Sequence, residues 1–134
     1  MKVWVNGTFD VLHIGHIRLL EYANSFGDVR VGIDTDDRIS QAKGKDRPFN
    51  TLSRRVEFLN SIKYVNEVVI FGTDEELSKS IEDYSPDIMV IGSDYKNKPI
   101  IGSKYPKKIV YFERIEDLST TKILKYGTNV NNGS

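Results

Sequence analysis

The sequence has 134 residues, of which 39% are hydrophobic and 28% are charged, values typical of one globular domain with its own core. Nineteen basic and nineteen acidic residues give a formal net charge of zero, which argues against a surface for nucleic acid. The absence of cysteine excludes disulfide frameworks and thiol chemistry. No apolar run reaches the length of a membrane span and nothing resembles a signal peptide, so we expect no membrane association and a cytoplasmic location.

The first predicted element is a short buried strand at residues 3–5, whose β-branched and aromatic side chains are typical of strands. A connecting segment over residues 7–16 follows, and the apolar residues of 17–23 then recur at helical spacing. His13 and His16 therefore lie where a strand turns into a helix. Backbone N–H groups and the positive end of the helix dipole can meet an anion at such a turn.

His13 and His16 are the only two histidines of the chain and stand three positions apart, so both imidazoles project from one side of a helix. Gly15, between them, leaves room for a ligand to approach the backbone. One interpretation is a pair of polar residues that caps the helix. A metal site is weaker, because no third histidine or cysteine completes a zinc ligand set. Imidazoles that donate to phosphate oxygens explain more of the residues.

The remaining pattern alternates strands with helices. Predicted strands cover residues 29–34, 67–71, 88–92 and 109–112, and predicted helices follow a cap at 35–37 and cover 51–62 and 75–84. Strands and helices in this order form parallel, right-handed βαβ units. The sequence therefore predicts an α/β fold in one domain over residues 1–126, with a Rossmann-like, open, doubly wound parallel sheet of five strands. Residues 127–134, rich in Gly and Asn, are expected to form a disordered tail.

Sheets of this kind bind ligands outside the carboxyl ends of their strands. The ends of the first, fourth and fifth predicted strands carry residues 8–16, 92–94 and 114–121. The polar residues 43–48 are interpreted either as a solvated loop or as a mobile basic loop that closes on phosphates. The hydroxyl cluster at residues 119–121 can cap a helix and still hold a phosphate.

Residues 7–16, which contain His13-Ile14-Gly15-His16, resemble the HxGH signature of the cytidylyltransferase-like nucleotidyltransferases. Residues 114–121 resemble a second signature of that family, RTEGISTT, with Ile115 and Asp117 as departures. The two signatures stand in the family's order, and the resemblance extends from about residue 2 to about residue 124.

The resemblance implies nucleotidyl transfer, in which an acceptor phosphate attacks the α-phosphate of a nucleoside triphosphate and pyrophosphate leaves. It assigns catalytic roles to His13, His16, Lys43 and Arg114. It assigns nucleotide binding to Gly7, Thr8, Phe9, Lys45, Asp94, Arg114, Glu116, Ser119, Thr120 and Thr121, and acceptor binding to Asp10, Lys43, Arg55 and Lys63. Mg²⁺ is expected on the triphosphate oxygens, with several waters and no metal-binding residue of the protein assigned. Relatives are commonly dimers, so we expect a homodimer.

The substrates implied by the resemblance differ along the chain. The N-terminal signature and residues 114–116 resemble glycerol-3-phosphate cytidylyltransferase. Residues 44–50, together with 92–96 and 101–103, look more like the adenylyltransferase domain that acts on heptose 1-phosphate. Lys63 replaces an arginine of the glycerol phosphate enzymes.

Leu77 falls near the place of the acceptor-binding lysine in the glycerol phosphate enzymes.

We predict transfer from CTP to a small phosphorylated alcohol such as glycerol 3-phosphate, for synthesis of a cell-envelope precursor. The alternative is transfer from ATP to a sugar 1-phosphate resembling heptose 1-phosphate. A third interpretation is an inactive nucleotide-binding regulatory domain. It is disfavoured because the chain retains the following site residues: His13, His16, Lys43, Lys45, Arg114, Ser119 and Thr120.

Overall fold

Five parallel strands form one sheet in the computed structural model, which describes residues 1–92 and 99–113. The strands are β1 (Lys2–Gly7), β2 (Asp28–Asp34), β3 (Glu67–Phe71), β4 (Ile88–Gly92) and β5 (Lys108–Phe112). The helices are α1 (Ile14–Asn24), α2 (Asp36–Lys43), α3 (Leu52–Asn60) and α4 (Asp74–Tyr84). Every neighbouring pair of strands is parallel, so the predicted Rossmann-like parallel sheet of five strands is confirmed.

The order of the strands across the sheet is β3-β2-β1-β4-β5. From β1 the chain adds β2 and β3 on one side, and it then returns past β1 to add β4 and β5 on the other side. The direction of growth therefore reverses between β1 and β4. In open α/β sheets this reversal leaves a crevice at the carboxyl ends of the strands, where ligands bind.

Helices cover both faces of the sheet. Successive side chains of a strand point to opposite faces, so each strand can pack against helices on both sides. Val3 and Val5 of β1 are buried in a cluster with Leu20 of α1 and Leu59 of α3. Trp4 lies between these valines in sequence and is buried on the opposite face, in the cluster that contains residues of α4. The result is a three-layer domain whose central strand is apolar on both faces.

The indole of Trp4 occupies space above the neighbouring strand. A Cβ atom built on Gly32 of β2 would lie 2.5 Å from Trp4 Cζ2 and 3.3 Å from Phe71 Cε1. The indole N–H donates to the Asn6 side chain at 2.9 Å. Glycine at position 32 therefore makes room for the largest side chain of the α4 face.

Several predicted boundaries differ from the observed ones. Helix α1 begins at Ile14 rather than at Ile17, and α2 extends to Lys43, which therefore lies in a helix and not in the loop that follows. Helix α3 is capped by Thr51, whose side chain accepts the Arg54 N–H. Residues 99–107, described ahead of β5, contain turns and no helix.

No helix in the described ranges is both long enough and apolar enough to cross a bilayer. The expected tail at residues 127–134 lies outside the described residues, so that expectation stays a prediction.

Candidate active site

A cavity opens beyond the carboxyl end of β1. Its volume is about 420 Å³, within the range of pockets that hold small ligands. The residues that line it are Thr8, Asp10, Val11, His13, His16, Lys43, Arg47 and Phe49. They come from the connection between β1 and α1, from the first turn of α1, from the end of α2 and from the loop after α2. Among the described residues that line the cavity, two imidazoles, one ammonium and one guanidinium thus accompany a single carboxylate, which is the charge balance of an anion site.

The two histidines cap helix α1. His13 is the N-cap residue, with an extended backbone (φ −141°, ψ 176°), and its Nδ1 accepts the Gly15 N–H at 3.0 Å. His16 is the third helical residue, and its Nδ1 accepts the His13 N–H at 3.1 Å. This is the reciprocal arrangement of a capping box, with imidazoles in place of the usual hydroxyl and carboxylate. The capping interpretation is therefore correct for both residues.

Capping also determines where each imidazole holds its proton. A backbone N–H can only donate, so the Nδ1 that receives it is the unprotonated nitrogen of the ring. The proton of each neutral imidazole is then on Nε2. Capping and phosphate binding are compatible, because each uses a different ring nitrogen. The two backbone hydrogen bonds at the helix start therefore fix both imidazoles in the tautomer that carries its proton on Nε2.

Aromatic packing fixes the planes of these rings. The ring centroids of His13 and His16 lie 4.2 Å apart, and Phe9 lies 5.5 Å from His16. Phe9 is buried and has a left-handed backbone with φ 49°, a conformation that costs free energy for a bulky residue. The buried ring therefore holds a strained turn and braces the second histidine. In this structure the Phe9 ring packs against the His16 imidazole.

Lys43 closes one side of the cavity. It lies in the last turn of α2, and its Nζ is 3.5 Å from the Thr8 hydroxyl. The side chain is exposed, so its ammonium can exchange this contact for a phosphate oxygen at little cost. The structure thus brings together five residues that the sequence predicted for the site: Thr8, Asp10, His13, His16 and Lys43.

Asp10 is buried and anchors the loop after α2. Its two carboxylate oxygens accept the Phe49 N–H at 2.8 Å and the Asn50 N–H at 2.7 Å. The Asn50 side-chain amide donates to the Asp10 carbonyl oxygen. The sequence prediction gave Asp10 to acceptor binding. In the structure its carboxylate instead binds the loop backbone, which joins the HxGH segment to the opposite wall of the cavity.

Arg55 of α3 is fully buried and makes four hydrogen bonds to the protein. Its guanidinium donates to the carbonyl oxygens of Asn50, Thr8 and Asp34 at 2.8–3.2 Å, and to the Asp36 carboxylate at 2.7 Å. Direct contact with an acceptor, as predicted for Arg55, would require these bonds to break. The structure places Arg55 behind the cavity wall, where it ties the end of β1 to α2 and to the loop.

Two predicted lysines do not line the cavity. Lys45 is an exposed residue of the loop after α2. Lys63 lies just before β3, at the amino end of the sheet, with its Nζ 5.3 Å from the Tyr64 ring centroid. The amino and carboxyl ends of parallel strands are opposite edges of the sheet, so Lys63 does not reach the cavity of its own chain. Leu77, a residue of α4, is buried in the apolar cluster between that helix and the sheet.

The C-terminal part of the predicted site is not described. The residues concerned are Asp94, Arg114, Glu116, Ser119, Thr120 and Thr121, which lie outside the described ranges. Gly7 is described, at the end of β1. A Cβ built on Gly7 would lie 3.2 Å from the Phe9 ring, so glycine allows this ring to fold back on the strand.

Three lining residues were not predicted as site residues: Val11, Arg47 and Phe49. Arg47 and Phe49 flank Pro48, in a segment that otherwise reads as a polar loop. A phenylalanine within such a loop is a weak sequence signal for a binding surface. Its position at the cavity depends on the Asp10 anchor, which no local pattern reveals.

A family model described as cytidylyltransferase-like matches residues 4–125 of the chain. Among curated proteins, the bifunctional protein HldE of Helicobacter hepaticus is 44% identical over 126 residues, which are 92% of this chain and 26% of that protein. The bifunctional protein HldE of Nitratiruptor sp. is 41% identical over 126 residues, again 92% of this chain and 27% of that protein. The chain thus spans about a quarter of the length of these curated relatives.

Solved structures share the fold. A lipopolysaccharide core biosynthesis protein from Thermoplasma volcanium has a TM-score of 0.70 and 26% identity, covering 87% of this chain and 98% of that one. Pantothenate synthetase from Thermus thermophilus has a TM-score of 0.55 and 14% identity, covering 84% of this chain and 54% of that one. At that identity the second likeness concerns the fold alone.

Proposed function

Since the chain belongs to the cytidylyltransferase-like family, we propose that it is a nucleotidyltransferase that moves an adenylyl group from ATP to a sugar 1-phosphate and releases pyrophosphate. The observation that carries the chemistry is the pair of imidazoles held as Nε2–H donors at the start of α1. Both line one cavity with Lys43, and both lie at the N-terminus of α1, the positive end of the helix dipole.

The choice of ATP and a sugar 1-phosphate is supported by the relatives. They are bifunctional HldE proteins, and residues 44–50, 92–96 and 101–103 of this chain resemble the adenylyltransferase domain that acts on heptose 1-phosphate. This evidence favours the alternative substrates over CTP and glycerol 3-phosphate, our first prediction from the sequence. The burial of Leu77 points the same way, because a lysine at that place binds the acceptor in the glycerol phosphate enzymes that the chain resembles. A heptose 1-phosphate is therefore the first acceptor to test.

The reaction needs alignment and charge stabilisation more than proton transfer. The attacking oxygen belongs to the acceptor phosphate, which is already an anion at neutral pH, so no general base is required. His13 and His16 donate to the α-phosphoryl oxygens as charge develops on them in the transition state. Lys43 moves from the Thr8 hydroxyl to the phosphates. Arg55 and Asp10 position the walls of the cavity, and neither contacts the reacting atoms.

Mg²⁺ fits this arrangement as an ion bound to the nucleotide. The described residues contain no cluster of three His, Asp or Glu side chains that could hold a metal. Asp10, whose carboxylate is the one that the described residues bring to the cavity, already accepts two backbone N–H groups. Triphosphate oxygens and water are therefore the expected ligands. When bound there, the ion neutralises charge on the leaving pyrophosphate.

Pyrophosphate release tests the proposal. The protein is incubated with ATP or CTP, each paired with heptose 1-phosphate or glycerol 3-phosphate, in the presence of Mg²⁺. We expect release with ATP and the sugar phosphate to exceed the other three pairs in kcat/KM by at least tenfold. Release only with CTP would overturn the nucleotide assignment. Binding of ATP without release from any pair would instead indicate a regulatory nucleotide-binding domain.

A further inference from the structure

The rim of the cavity carries two side chains that have no role in the reaction as described so far. Phe49 is 65% exposed although it is a large apolar residue. The Arg47 guanidinium carbon lies 4.4 Å from the centroid of the Phe49 ring. Both residues line the same cavity as the two histidines. The planar guanidinium of Arg47 thus lies over one face of the apolar Phe49 ring, in the same cavity as the two histidines.

The backbone beneath these side chains is held firmly. The buried carboxylate of Asp10 accepts the Phe49 and Asn50 N–H groups, one on each oxygen. Arg55 donates to the Asn50 carbonyl oxygen at 3.1 Å. The position of the Phe49 ring is therefore tied to the segment that carries His13. A preorganised surface of this kind costs little conformational entropy when a ligand binds.

Arg47 keeps most of its hydrogen-bonding capacity. Its Nη1 lies 3.8 Å from Asp10 Oδ2, too far for a hydrogen bond, and its side chain is 39% exposed. That carboxylate oxygen is already bonded to the Phe49 N–H. The guanidinium therefore has donors left in the fork geometry that matches phosphate.

We infer that Arg47 and Phe49 form the acceptor subsite, in which Arg47 binds the acceptor phosphate and the Phe49 ring packs against the C–H face of the sugar. This inference rests on the proposed function and specifies its acceptor side. Phosphates of the nucleotide bind the histidines and Lys43, and the acceptor phosphate approaches from the loop side. An acceptor without a ring, such as glycerol 3-phosphate, gains the Arg47 contact but little from Phe49.

Steady-state kinetics of Arg47→Gln and Phe49→Ala test the inference, with ATP and heptose 1-phosphate varied separately. We expect each variant to raise KM for the sugar phosphate by about tenfold or more and to leave KM for ATP within about twofold. Arg54→Gln and Phe58→Ala are matched controls, because both residues are exposed on α3 and do not line the cavity. They should change neither constant. Circular dichroism and thermal unfolding establish that all four variants are folded.

An unchanged KM for the sugar phosphate in both variants would overturn the inference, as would a rise in the KM for ATP alone. Calorimetric titration of heptose 1-phosphate separates this result from failure of the proposed function. If the wild type binds the sugar phosphate without turnover, the reaction assignment fails, and loss of that binding in the two variants still supports the subsite. If the wild type neither turns over nor binds the sugar phosphate, both assignments fail.

Discussion

The imidazole of His16 accepts the backbone N–H of His13 at 3.1 Å, and the His13 imidazole accepts the Gly15 N–H at 3.0 Å. The two histidines thus stabilise the helix start through Nδ1, and each neutral imidazole carries its proton on Nε2. One pair of side chains serves both the fold and the site. Substitutions that keep one of these functions and remove the other can separate them.

Replacement of His16 by Ala and by Gln is the first such test. His16→Ala removes the His16 half of the capping box and should lower the free energy of unfolding by about 1 kcal/mol. Gln at the third helical position can still accept the N-cap N–H, so His16→Gln should recover most of that loss. Both variants should lose about 10²–10³ in kcat/KM, because neither places an Nε2–H beside the phosphates. Urea unfolding and pyrophosphate release measure the two effects, and activity above a tenth of wild type in His16→Ala would contradict the account.

Arg54 and Arg55 are adjacent in sequence, but Arg54 is exposed and Arg55 is fully buried. Arg55→Met should cost about 3 kcal/mol or more of unfolding free energy, because it leaves three carbonyl oxygens and a carboxylate without their shared donor. Arg54→Met, at an exposed position, should stay within about 0.5 kcal/mol of wild type. Chemical denaturation compares the pair. Equal costs for the two would mean that the buried hydrogen bonds contribute no stability.

Gly32→Ala tests the packing between β1 and β2. A Cβ at this position would meet the Trp4 ring at 2.5 Å, so overpacking should cost about 1–3 kcal/mol. Gly92→Ala is the control, since a Cβ there would have no atom of the described residues within 4 Å. Thermal unfolding should show a clearly lower Tm for Gly32→Ala only. A Tm at wild-type level would show that Trp4 can move away without cost.

Asp87 predicts a pH dependence of stability. The Lys2 backbone N–H donates to its carboxylate at 2.8 Å and Lys107 Nζ lies 3.2 Å away, and together they lower the pKa of Asp87 below its usual value. A lowered folded-state pKa means that the ionised form is stabilised by folding. This contribution is complete above the unfolded-state pKa and is lost as the pH falls through the folded-state pKa.

Urea unfolding at several pH values, from neutral down to about pH 3, checks this prediction. The stability difference between wild type and Asp87→Asn should be largest at neutral pH and should shrink as the pH falls. Lys107→Ala should keep most of the pH dependence, because the Lys2 N–H is the larger cause of the shift. A stability difference between wild type and Asp87→Asn that grows as the pH falls would contradict the lowered pKa of Asp87.

Much of the fold could be predicted from the sequence. The bounds of β3 and β4 agree with the prediction, because both are apolar runs bounded by polar turns. The start of α1 was missed, since an imidazole is not among the usual N-cap side chains. A helix was predicted after the cap at residues 35–37, but its polar composition did not indicate where it ends. Residue 43 was therefore interpreted as loop, although α2 extends to Lys43.

The site was harder to predict than the sheet. The positions of His13, His16, Lys43 and Thr8 follow from their place at the end of β1 or α2. The burial of Arg55 and Asp10 does not, because it depends on partners that are distant in sequence. Lys63 was assigned by resemblance, although its place before β3 puts it at the other edge of the sheet. The homodimer, the cytoplasmic location and the Mg²⁺ requirement stay predictions.

The most direct measurement follows the α- and γ-phosphates of ATP into the products. ATP labelled at the α-phosphate, or separately at the γ-phosphate, is incubated with heptose 1-phosphate and the protein, and the products are separated by chromatography. Adenylyl transfer predicts the α-label in a sugar nucleotide and the γ-label in pyrophosphate. The γ-label on a sugar bisphosphate, with the α-label left in ADP, would contradict the account and make the protein a phosphoryl-transfer enzyme.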